Sequence, residues 1–149
     1  MTSTPKYQIV ILVSILTLAF SGKEATRSGS WSKNGATMSG SHTTTWIQPK
    51  DRGMQSVSNA QTPRCVIQYI FVDSSLQDRC QNPNGTWQSW QQFGYAVNDA
   101  NWAYSSGTAT ARGTYQDCAV NHQYRSISRH IFVDSGFGLN ETKTLTSGL

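Results

Sequence analysis

Charged residues are scarce in this 149-residue chain, where Asp, Glu, Lys and Arg fill 13% of positions against roughly a quarter in an average soluble domain. The shortage argues against a helical cytosolic protein and fits an extracellular β-protein rich in Ser, Thr, Gly, Asn and Gln. The few cations are scattered singly without a polybasic block, so no specific nucleic-acid partner is expected. Nothing after residue 20 is long and apolar enough for a second membrane segment. No Gly-x-Ser-x-Gly word is present, and the three histidines, His42, His122 and His130, stand at no metal-ligand spacing. A metal, a cofactor and a triad hydrolase are therefore not expected. No window shows a convincing helical period, and residues 73–79 have room for one turn at most.

What the chain does have begins at its N-terminus. Lys6 precedes an apolar run over residues 9–20, and the small residues Ser21 and Gly22 follow. The run falls within the roughly 7–15 residues of a signal-peptide core and short of the roughly 20 needed to span a bilayer. Residues 1–21 are thus expected to be a cleaved secretory signal, with Ala19 and Ser21 at the two positions a signal peptidase reads. Cleavage leaves about 128 residues and lowers the formal charge of +4 by the one lysine removed. An uncleaved anchor is the alternative and the one route to a membrane. No cysteine follows the run at once, which argues against a lipid-modified terminus. The mature product is expected to be secreted and extracellular.

Three cysteines, Cys65, Cys80 and Cys118, lie beyond the signal, where an oxidising compartment favours one disulfide and leaves one thiol over. Cys80 with Cys118 is the favoured pair, because each sits in a polar, turn-like stretch. Cys65 opens an apolar strand and suits burial as a small hydrophobe. Pairings that involve Cys65 stay open at this level.

Residues 22–30 read as a short flexible leader and residues 31–149 as a single β-rich domain. Turn words recur through that domain: Lys33-Asn34-Gly35, the stretch 49–53, Asn82-Pro83-Asn84-Gly85, the stretch 98–101, Ser105-Ser106-Gly107 and Asp134-Ser135-Gly136. Short strands so punctuated predict a small antiparallel sandwich or barrel. The clearest strand covers residues 123–133, with Arg125, Ile127, Arg129, Ile131 and Val133 on one side and Tyr124, Ser126, Ser128, His130 and Phe132 on the other. Each side mixes polar and apolar groups, so which one faces the core is not legible. A second strand over residues 108–115 is expected to form an antiparallel hairpin with it. The word Ile70-Phe71-Val72-Asp73-Ser74 recurs letter for letter at residues 131–135, a coincidence expected in about one chain in a hundred. It has two readings: a duplicated β-unit, or two strands that each end in an Asp-Ser turn.

The most suggestive chemistry is aromatic. Trp87, Trp90, Phe93 and Tyr95 share one polar stretch, and Trp102 and Tyr104 follow. Planar faces among amides suit a sugar-binding or protein-binding surface, although some of these rings must pack in the core. Trp87, Trp90, Tyr95, Trp102 and Tyr104 are the candidate ligand contacts. The sequons at Asn84 and Asn140 could carry glycans in a eukaryote, and both are expected in loops. The leading expectation is a secreted, non-enzymatic β-domain that binds an extracellular glycan or protein surface. The alternative is a small secreted enzyme or toxin acting on RNA or cell-wall glycan, with His130 as base beside Arg125 and Arg129 and with Asp134 assisting. A purely structural secreted protein is a third reading.

Overall fold

The computed structural model describes residues 23–61, 69–98 and 106–148, and there the chain forms two four-stranded antiparallel sheets packed face to face. The first sheet has the order β1-β2-β3-β6, with β1 at Lys23–Lys33, β2 at Ala36–Gln48, β3 at Asp51–Gln61 and β6 at Ser106–Thr114. The second has the order β5-β4-β7-β8, with β4 at Tyr69–Cys80, β5 at Gln91–Val97, β7 at His122–Asp134 and β8 at Leu139–Gly148. The sandwich expected from the turn spacing is the fold observed. A two-residue turn joins β1 to β2, with Asn34 and Gly35 both at positive φ, 52° and 79°. That conformation matches the twist of the flanking strands and selects Asn-Gly. Between β7 and β8, Asp134 caps a single 3₁₀ turn, Ser135–Phe137, by accepting the Gly136 N–H at 3.0 Å.

Several expectations need correction. Residues 23–30 are not a flexible leader but most of β1, an edge strand hydrogen-bonded along β2. Its side chains are largely exposed, so backbone pairing holds it and no apolar pattern announces it. Residues 73–79 hold no helical turn, because they lie inside β4, paired on both sides. Strands β6 and β7 form no hairpin: β6 pairs with β3 in one sheet and β7 with β4 and β8 in the other. Their connection crosses between the sheets. Ser106 and Gly107 belong to β6 rather than to a turn, and Asn140 lies on β8, exposed. Residues 1–22, Cys65, Trp102 and Tyr104 fall outside the described residues.

The disulfide is Cys80–Cys118, which ties the end of β4 to the β6–β7 crossing across 38 residues. In the chain-entropy account a loop of that length stabilises by about 4 kcal/mol. That support matters, because the apolar core is small and split. One cluster gathers Ala36, Met38, Ala60, Ile70, Phe132 and Leu139, with Trp31 against it. The other gathers Met54, Leu76 and Ala111, with Phe93 and Ala96 against it.

Between them the interlayer is polar. Ser128 Oγ lies 2.8 Å from His42 Nδ1 and 2.8 Å from His130 Nε2, while Ser58 Oγ is 2.7 Å from His130 Nδ1 and Ser147 Oγ 2.9 Å from His42 Nε2. Thr44 donates to Ser126 at 2.9 Å, and Ser74 donates to Ser56 at 2.6 Å. A neutral imidazole offers one donor and one acceptor, and a hydroxyl offers both, so the chain from Ser58 to Ser147 closes with both rings uncharged. Burial is the main cause that lowers each imidazole from 6.5 to about 4, followed by the Arg27 charge for His42 and by His42 for His130. Gly40 makes room for this layer: a Cβ there would stand 2.8 Å from the His130 ring.

The repeated word shows how little letters fix about facing. Its two copies pair with one another at the middle of the second sheet, Ile70 opposite Phe132 and Phe71 opposite Ile131. Ile70 and Val72 point inward in the first copy, whereas Phe132 and Asp134 do so in the second. The same letters therefore occupy opposite phases of the pleat.

Candidate functional site

The outer face of the second sheet carries the candidate site, built from one reciprocal word. Gln77-Asp78-Arg79 on β4 and Gln123-Tyr124-Arg125 on β7 both read Gln-x-Arg. Antiparallel register sets Gln77 opposite Arg125 and Arg79 opposite Gln123. Directly opposed residues share a face at side-chain contact distance. Arg125 Nε accordingly donates to Gln77 Oε1 at 2.8 Å, and Arg79 donates to Gln123 Oε1 through Nε at 2.9 Å and Nη2 at 2.7 Å. The intervening Asp78 points inward and is buried.

Two tryptophans complete the arrangement. The Arg79 guanidinium carbon lies 5.0 Å from the Trp87 ring centre and 4.5 Å from that of Trp90, and Arg125 lies 4.3 Å from Trp90. Trp87, Arg79, Trp90 and Arg125 thus form a column of alternating rings and guanidiniums. Each contact at this distance is an attraction between the cation and the ring quadrupole. The excursion that delivers Trp87 is fixed at its base by a bridge between Gln81 and Trp87 and by the Gln88 N–H on the carbonyl of Cys80 at 2.9 Å. Since Cys80 is half of the disulfide, the same crosslink anchors the column. Beside Trp90 and Arg125 opens a groove of about 280 Å³, lined also by Gln123, Tyr124, Thr146 and Gly148. That volume falls just below the usual range for ligand sites, about 300–1,000 Å³.

Of the predicted ligand contacts, the structure brings Trp87 and Trp90 together through Arg79. Tyr95 stands apart on β5, opposite Ser75 and 49% exposed, while Phe93 packs on the core. Asn84 sits exposed in the tight turn before Trp87, its Oδ1 accepting from the Thr86 N–H at 3.1 Å. The enzymatic constellation is not assembled. His130 points into the sandwich, Arg125 and Arg129 point out of it, and Asp134 is a buried cap. Arg129 itself bonds Asp73 through Nε at 2.9 Å and Nη2 at 2.6 Å.

A different titratable cluster closes the end of the sandwich below the groove. His122 Nε2 is 3.0 Å from Asp78 Oδ2, and Asp78 also accepts the Gln116 N–H at 3.0 Å. Tyr115 and Tyr124 stand edge-on to each other and next to the His122 ring. Arg52, fully buried, lies with its guanidinium 3.2 Å over the Trp46 ring. Burial first, and then the Tyr115 hydroxyl, hold Tyr124 well above the usual phenol range. This cluster is packed side chain on side chain, and through Tyr124 it adjoins the groove. Among the described residues no three His, Cys, Asp or Glu side chains converge as a metal site would require.

The reciprocal Gln-x-Arg words are the signal that a reading of the sequence misses. They gain meaning only once β4 is known to pair with β7. Comparison with family models, with curated proteins and with solved structures finds no match for this chain.

Proposed function

We propose that this protein is a secreted, non-enzymatic binding module that holds an extracellular glycan against the outer face of its second sheet. The observation that carries this reading is the column Trp87-Arg79-Trp90-Arg125, held in place by Gln77 and Gln123 beside an open groove. Buried cores use Trp as packing; here two rings order two guanidiniums and their amide partners on a surface, where N–H donors and amide groups can hydrogen-bond the hydroxyls of a sugar. The Cys80–Cys118 disulfide supports an exported protein, because such bonds persist in oxidising compartments. The low charge and the apolar N-terminal run point the same way. The residues named for an enzymatic alternative are divided between the core and the surface, which leaves that alternative without an assembled site.

Calorimetric titration of the purified protein with a panel of soluble oligosaccharides tests the reading. Trp90→Ala, which removes the ring that both guanidiniums rest on, is expected to weaken binding by roughly tenfold or more. Equal affinity of the variant, or binding of none of the panel, would overturn it, and capture of a protein ligand at the same face would replace glycan with protein.

A further inference from the structure

Resting on the binding-module reading, we propose that the ligand is an acidic glycan, with a carboxylate or sulfate seated on the guanidiniums of Arg79 and Arg125. Three arginines on this face meet a residue directly opposite on the neighbouring strand: Arg129 meets Asp73, Arg125 meets Gln77 and Arg79 meets Gln123. The first pair is neutralised in place by two charge-assisted hydrogen bonds at 2.9 and 2.6 Å. The other two are held by neutral amide oxygens at 2.7–2.9 Å, which orient a guanidinium without cancelling its charge. Among the described residues no carboxylate pairs with Arg79 or Arg125.

The register spaces the two positions two residues apart along the strands, about 7 Å. Two like charges are therefore displayed side by side with Trp90 in contact with both. Ring quadrupoles stabilise them but do not neutralise them. With guanidiniums occupying the ring surfaces, the column presents N–H donors rather than bare aromatic faces. Planar forked donors match the paired oxygens of a carboxylate or sulfate. Thr146 and Gln123, lining the groove next to Arg125, supply hydroxyl and amide groups suited to sugar hydroxyls. A nucleic acid fits less well, since its regular phosphates call for a stripe of cations, whereas this face carries a pair.

Retention of the purified secreted chain on three immobilised polymers tests the proposal: heparin for sulfate, polygalacturonate for carboxylate and dextran for a neutral glycan. The expected result is retention on one or both acidic polymers, released by salt, and none on dextran. Arg125→Gln is expected to weaken retention by roughly tenfold, the effect of losing a charge-assisted hydrogen bond. Arg129→Gln is expected to leave it within about twofold, because Asp73 already cancels that charge. Arg125→Lys, which keeps the charge and loses the fork, should fall between wild type and Arg125→Gln, and thermal melts of each variant separate lost contact from lost fold.

Equal losses in Arg125→Gln and Arg129→Gln, or none in either, would overturn the assignment. Retention on dextran that Trp90→Ala removes and Arg125→Gln does not would overturn the acidic ligand while leaving a glycan-binding module. Tighter binding of single-stranded RNA than of either acidic polymer would overturn the glycan. Retention on nothing would overturn both readings.

Discussion

The two faces of β7 have almost opposite chemistry to the one a sandwich strand is expected to show. Inward it carries Tyr124, Ser126, Ser128, His130, Phe132 and Asp134, and outward Gln123, Arg125, Ile127, Arg129, Ile131 and Val133. From Ser126 onward the polar set is buried, whereas the isoleucines are only partly so. The reason lies in the partners each face meets. Ser128 and His130 find Ser58 and His42 across the interlayer, so every imidazole nitrogen named has a hydroxyl within 2.9 Å. A buried polar group with a partner costs little, while one without costs about 1–3 kcal/mol. On the other side Arg125 and Arg129 lie across their β4 partners, one beside an amide and one beside a carboxylate. The inner face thus specifies the fold through satisfied hydrogen bonds, and the outer face displays chemistry.

If the faces divide labour in this way, perturbing one should leave the other's role intact. Acid strikes the inner face hardest. Both buried imidazoles sit at about 4 in the fold and at 6.5 in the unfolded chain, so on acidification the unfolded state takes up protons first. Stability is therefore complete above pH 6.5 and drains as pH falls toward 4. Between those two limits the loss amounts to about 3 kcal/mol for each ring. Denaturant melts at pH 7 and pH 4.5 should show this as a lower midpoint with an unchanged slope. A midpoint indifferent to pH would mean that the rings titrate normally and that the interlayer is wet.

A smaller blow to the same face is Gly40→Ala. The added methyl would stand 2.8 Å from the His130 ring, inside the interlayer. Overpacking of this kind costs about 1–3 kcal/mol. A drop of that size in stability is expected, with any retention on the acidic polymers unchanged in the folded fraction; intact stability would show that the sheets part there without strain. The smallest effect belongs to the outer face. Ile131→Thr trims a partly buried side chain opposite Phe71 and should cost no more than about 1 kcal/mol. A loss of several times that would reveal a covering element over these isoleucines.

Legibility in the sequence followed local chemistry. Asn34-Gly35, the Asn82 to Gly85 turn and the Asp134 cap could be placed from residue type alone, because each satisfies a backbone demand within a few residues. The Cys80–Cys118 pair was legible for the same reason, as two cysteines in polar turns. Strand β1 was not, since its edge position needs backbone partners and no apolar stripe. The face of β7 was not either. Alternation gives a period, but with polar residues on both sides nothing in it says which side is roofed.

The candidate site divides likewise. Trp87 and Trp90 stood out as rings in a polar stretch, and Arg125 as a cation on a strong strand. That these residues stack, and that Arg125 faces Gln77 while His130 turns inward, depends on the β4–β7 register across some 50 residues of chain. By itself the sequence determined that this chain would be strands punctuated by turns, because turn residues and pleat alternation act over distances of a few residues; the strands run longer, at 7–13 residues, than the short ones the turn spacing predicts. Only the tertiary structure decided which face of each strand became interior and which guanidiniums went without a carboxylate. Those choices are made by long-range partners, and a side chain's chemistry does not name the residue it will meet.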